Sequence, residues 1–145
     1  MDPIRHPVDA ELEPCGAGPR ELRLAATALP AAVARCRSQV RAFAVRHGVR
    51  AGDDVELAVS EAVTNAVLHA YAGAEPGEVR VFAERVGQRV VIVVEDDGAG
   101  LSPRADSPGL GLGLMVISEV ALDFHVGAGE RGVGTRVELS FAVAG

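Results

Sequence analysis

Four stretches of this chain carry residues whose types and spacing could do chemistry. In SEAVTNAVLHAY, Glu61, Asn65 and His69 recur at i, i+4 and i+8, which sets them along one side of a helix. Their neighbours are apolar, and polar groups in such company are costly unless partnered. A carboxylate can accept a proton or orient water, and an amide carbonyl is a hard oxygen ligand suited to magnesium. A solvated helix edge is the alternative reading of the same spacing. Next, Asp96-Asp97-Gly98-Ala99-Gly100 follows directly on the apolar run Val90–Val94. An acid ending a buried strand can accept a hydrogen bond from an adenine amino group, and glycines after it let the backbone turn and approach a ligand. An ordinary strand-ending turn has the same composition.

The third stretch, Pro108-Gly109-Leu110-Gly111-Leu112-Gly113-Leu114, opens a helix. Backbone N–H groups exposed at Gly109, Gly111 and Gly113, with the dipole of the helix start, favour phosphate. A flexible linker would not explain why leucines alternate so regularly with the glycines. A dinucleotide fold is rejected, because the terminal GxxG spacing and a surrounding βαβ unit are both missing. Last, Gly132-Val133-Gly134-Thr135-Arg136-Val137 enters a strand. Thr135 could place a hydroxyl in a nucleotide pocket, or serve as a strand threonine beside a turn.

The elements that must position these residues follow from periodicity. Residues 1–19 hold four prolines, with Gly16 and Gly18 near their end, and read as a flexible leader before a domain over 20–145. Alternation over 20–28 predicts a strand. Pro30 suits a first helical turn, and Val33, Val40, Phe43 and Ala44 share one face of a helix ending before Gly48. Asp53 and Asp54 are expected to cap a second helix running to about Tyr71. Glu78–Arg85 and Arg89–Glu95 form a hairpin. A loop over Asp96–Pro108 leads to a short helix over Gly113–Ala121, then to a second hairpin, Asp123–Gly127 with Gly134–Ala142. The order β-α-α-β-β-loop-α-β-β predicts an α+β two-layer sandwich, its mixed, mostly antiparallel sheet covered by helices on one face.

Composition bounds the function. The 145 residues are 48% hydrophobic but only 3% aromatic, so the core must be aliphatic. A formal charge of −6 argues against nucleic acid as a partner. Cys15 and Cys36 have no metal-ligand spacing and fit a reducing, cytoplasmic setting as small buried or idle thiols. No run of about 18 apolar residues could span a bilayer.

Taken together, the acidic-Asn helix, the DxGxG after a strand, the GxGxG opening a helix and the Gly-Thr before a strand resemble the GHKL ATP-binding fold shared by gyrase, histidine kinases and mismatch-repair ATPases. The resemblance covers roughly residues 20–143, and EAVTNAVLHAY (61–71) is most similar to the anti-sigma-factor serine/threonine kinases of bacterial stress and sporulation pathways. It implies ATP and Mg2+ as cofactors. It implies Glu61 as general base, Asn65 as the magnesium ligand, and Asp96 with Thr135 at the adenine. Gly98 and Gly100 would let the base lie against the loop, and Gly109, Gly111 and Gly113 would wrap the phosphates. The implied partners are a sigma factor and a STAS-type anti-anti-sigma protein whose serine or threonine accepts the phosphate, with a homodimer as assembly. Larger members have a longer lid than the eight residues LSPRADSP found here, where Arg104 is the one cation. That shortness favours a nucleotide-dependent switch that holds a partner without phosphorylating it. A detached histidine-kinase catalytic domain is a third reading, which the form of EAVTNAVLHAY disfavours.

Overall fold

The computed structural model describes residues 20–99, 115–130 and 132–144. The opening alternation forms β1 (Glu21–Thr27), half-buried at every second residue. Helix α1 (Pro30–Arg46) takes its proline in the first turn, where a backbone N–H would have no intrahelical partner. It buries Ala32, Cys36, Val40, Phe43 and Ala44 as one stripe. Burial pushes the Cys36 thiol up, so it stays protonated and packs as a small apolar group. Gly48, at φ 101°, then turns the chain into a conformation that side chains rarely adopt.

Helix α2 (Gly52–Asn65) departs from expectation at both ends. The residue before it is Ala51, with no side-chain capping bond, and Asp53 and Asp54 lie inside the first turn. There their charge complements the helix dipole, and the Asp53 carboxylate accepts a hydrogen bond from Arg41 of α1 at 2.6 Å. Nor does the α-helix continue to Tyr71. From Ala66 to Ala70 it widens into a π turn, whose bonds span five residues instead of four. Glu61 and Asn65 keep their i, i+4 relation inside α2, while His69 falls in the wide turn.

Strands β2 (Glu78–Val86), β3 (Arg89–Asp96), β4 (Asp123–Ala128) and β5 (Thr135–Ala142) join β1 in a five-stranded sheet of order β1-β2-β3-β5-β4. All four pairings are antiparallel, so the described sheet is antiparallel throughout and not mixed. Residues 115–120 form the short helix α3, with Ile117 fully buried. The register directs Val79, Val81, Ala83, Val90, Ile92, Val94, Val137, Leu139 and Phe141 toward the helices, where an aliphatic core joins the two layers. The molecule is an α+β two-layer sandwich.

The opposite sheet face is amphipathic. Arg23 lies 4.6 Å over the Phe82 ring, and with Arg80, Val93, Glu95 and Arg136 these side chains line a shallow concavity of about 590 Å3. Among the described residues, no helix is long and apolar enough to cross a membrane.

Candidate functional site

Asp96 and Thr135 meet where β3 and β5 pair, and the backbone after Asp96 packs against Ala70 at the end of the π turn. Asp96 closes β3 on the helix-facing side of the sheet and is buried at 5% exposure. Thr135 opens β5 directly opposite it in the ladder and is also buried. The Asp96 carboxylate accepts the Gly98 N–H at 2.9 Å. Burial raises its pKa above the ordinary value of 3.8, and the backbone amides of Gly98 and Thr135 oppose that shift.

Backbone packs closely around this carboxylate. A Cβ at Gly98 would collide with the Ala70 carbonyl at the end of the π turn, and a Cβ at Gly134 with the Asp96 carbonyl. Gly134 also sits at φ 75°, a region that favours glycine. The chain on the far side of Asp96 is tied to the helix end, since the Ala99 N–H donates to the Ala70 carbonyl at 2.7 Å. Gly98 is therefore required first for a backbone-to-backbone approach, a reason the sequence did not reveal.

The carboxylates at the end of β3 each have a separate partner. Glu95 points to the opposite sheet face and accepts the Glu130 N–H of the β4–β5 turn at 2.6 Å. Asp97 receives a two-pronged hydrogen bond from the Arg80 guanidinium, at 2.9 and 3.0 Å. The three do not form a shared metal cage, and no group of three His, Cys, Asp or Glu side chains among the described residues is placed to hold an ion.

Glu61 and Asn65 stand one helical turn apart at the end of α2, both half-buried. The Asn65 Nδ2 atom is buried and has no hydrogen-bond partner among the described residues. A buried N–H donor without a partner costs free energy unless an acceptor satisfies it, so the Asn65 amide nitrogen fits an anionic ligand such as a phosphate oxygen. His69 is half-buried in the π turn that follows. Gly100, Gly109, Gly111 and Gly113, and the segment holding Arg104, lie outside the described residues.

Spacing assigns no part in the site to Ala70, Tyr71 or Arg80, and Gly134 enters it only as the glycine before Thr135. The GVG before Thr135 was the available signal for Gly134. The others act through a backbone carbonyl, a cross-strand ion pair and a hydroxyl bridge, which no spacing rule reveals.

Residues 26–141 match the histidine kinase-like ATPase domain family. The anti-sigma F factor of Clostridium novyi is 35% identical over 95 residues, covering 58% of this chain and 66% of that protein. The anti-sigma F factor of Clostridium beijerinckii is 36% identical over 98 residues, covering 60% and 68% respectively. The matched stretch is thus about two thirds of each relative's own length. The Acinetobacter baumannii histidine kinase AdeS aligns with a TM-score of 0.47 at 15% identity, over 88% of this chain and 71% of that one.

Proposed function

The chain belongs to the histidine kinase-like ATPase domain family, and from that premise we propose that it is an ATP-dependent anti-sigma regulator that phosphorylates a STAS-type anti-anti-sigma protein on serine or threonine. The observation that carries the nucleotide part is the Asp96 carboxylate, buried between two glycine-dependent backbone approaches and beside Thr135. In this reading Asp96 accepts the adenine amino group, with Thr135 assisting through its hydroxyl. Gly98 and Gly100 leave room for the base. Gly109, Gly111 and Gly113 present backbone amides to the phosphates.

Asn65 would hold Mg2+ together with phosphate oxygens, and the ion would supply neutralising charge when bound. Glu61, one turn earlier, takes the proton of the acceptor hydroxyl. The acceptor oxygen then forms its bond to the γ-phosphorus as the bond to the β–γ bridging oxygen breaks, leaving ADP. The sigma factor is the partner held when the acceptor is absent or already phosphorylated. Support for it comes from relatives named anti-sigma F factor. A homodimer and a cytoplasmic setting belong to the same proposal.

The test is calorimetric titration with ATP and ADP, with and without Mg2+, followed by transfer of labelled γ-phosphate to a STAS-type protein. Magnesium-dependent binding and acid-stable label are expected, and Glu61→Ala should keep the binding and lose the transfer. The eight-residue segment between Gly100 and Gly109 favours a second reading, in which nucleotide occupancy switches partner binding without transfer. Tight ATP binding with no labelled acceptor would select it. No binding of either nucleotide would sink both.

A further inference from the structure

Tyr71 occupies a position that neither the motif nor the family match assigns a task. The β2–β3 register pairs Val79 with Asp96, so the next rung would set Glu78 against Asp97. In a regular ladder those two residues would pair directly through their backbones. Instead the Tyr71 hydroxyl sits between them. It donates to the Glu78 carbonyl at 2.8 Å and accepts the Asp97 N–H at 2.9 Å. Its ring packs over Gly77, where any side chain would strike it. Burial pushes the hydroxyl's pKa up, so the proton needed for donation to Glu78 is retained.

We infer that Tyr71 is a specificity-setting positioning residue: its hydroxyl ends the β2–β3 ladder one rung early and turns the chain after Asp96 toward the helix end, fixing the aspartate's aim at the base. This rests on the reading of Asp96 as the adenine contact. Four further hydrogen bonds hold residues 96–99. Arg80 grips Asp97 with two prongs, Gly98 N–H reaches the Asp96 carboxylate, and Ala99 N–H reaches Ala70. The π turn delivers Tyr71 and Ala70 together, since they are consecutive at its end. Without the hydroxyl, the Asp97 N–H exchanges the Tyr71 oxygen for the Glu78 carbonyl across the missing rung, drawing the loop away from Ala70 and rotating the Asp96 carboxylate.

Tyr71→Phe keeps the ring over Gly77 and removes only the bridge. Affinities for ADP and GDP, measured by calorimetry on the full chain, give the test, with the melting temperature as control. The expected result is an ADP-over-GDP preference reduced about five- to tenfold, the scale of one hydrogen bond, with ADP affinity falling and GDP affinity nearly unmoved. A merely structural tyrosine would lower the melting temperature and leave the preference ratio intact, and that outcome overturns the inference while the nucleotide reading stands. If the wild-type chain binds neither nucleotide, the nucleotide reading fails and the inference falls with it. Should the variant not fold, the wild-type Asp97 amide resonance carries the test. It is expected to move on ADP addition together with that of Gly98, and an unmoved signal overturns the inference.

Discussion

Asp96 is held at some cost to stability. Its carboxylate is buried and its pKa lies above the ordinary 3.8, so ionising it opposes folding as pH rises through the folded value. The sign gives a prediction for Asp96→Asn, which keeps an oxygen to accept the Gly98 N–H but carries no charge. Its melting temperature near pH 7 is expected to equal or exceed that of wild type. The difference should vanish once pH falls below 3.8, where the acid is neutral in the folded and the unfolded chain alike. Adenine-nucleotide binding should be lost across the range. A variant clearly less stable than wild type at neutral pH would contradict this account of Asp96. The two glycines make the opposite prediction. Gly98→Ala forces a methyl into the Ala70 carbonyl and Gly134→Ala forces one into the Asp96 carbonyl. Each should cost about 1–3 kcal/mol of stability, read as a lower urea midpoint, with Gly134 the worse because its φ of 75° adds backbone strain. Unchanged midpoints would mean that the loop relaxes freely around the acid.

The element that decides the site is the π turn. An α-helix prolonged through Tyr71 would rotate each residue after Asn65 and move Ala70 and Tyr71 from the bonds they make. Leu68 is 59% exposed in that turn, so its side chain contributes little to the core. Deleting it should let the turn close to α geometry with Ala70 and Tyr71 held in place, since one residue fewer offsets the tighter winding, so helical circular dichroism and nucleotide binding should both persist. Lost binding would show that the wide turn itself shapes the site. The first turn of α2 is tolerant as well. Asp53 is exposed, and its pairing with Arg41 joins two helices already packed along their length. Its role there is minor next to that of the buried valines.

At the scale of the molecule, one aliphatic core joins the sheet to α1, α2 and α3, and the site lies at its edge. Leu139 is buried in β5, on the same strand as Thr135. Leu139→Ala should destabilise the fold by about 2–5 kcal/mol in denaturant unfolding. At temperatures well below its melting point, where the fold persists, nucleotide affinity should be unchanged. A loss of affinity in the folded variant would mean that site geometry depends on core packing, not on the local bonds around Asp96.

Periodicity alone was enough to read the elements, because the chain alternates wherever one face of a strand is buried and repeats every three to four residues wherever a helix packs on it. Leu22 and Leu24, Val79 and Val81, and Val59 and Val63 carry that pattern, and the layer order follows from the elements. The same local logic placed Asp96 at the end of a buried strand and Glu61 one turn from Asn65. It could not reach what depends on residues far apart in sequence. That the β3–β5 pairing is antiparallel, that Asp53 meets Arg41 instead of capping its helix, and that the helix widens after Asn65 are each settled by contacts across elements. The bridge from Tyr71 to Glu78 and Asp97 is the clearest case. One hydroxyl joins a helix end to two strands, and its place is fixed by where the Asp97 N–H and the Glu78 carbonyl come to lie, which only the folded chain decides.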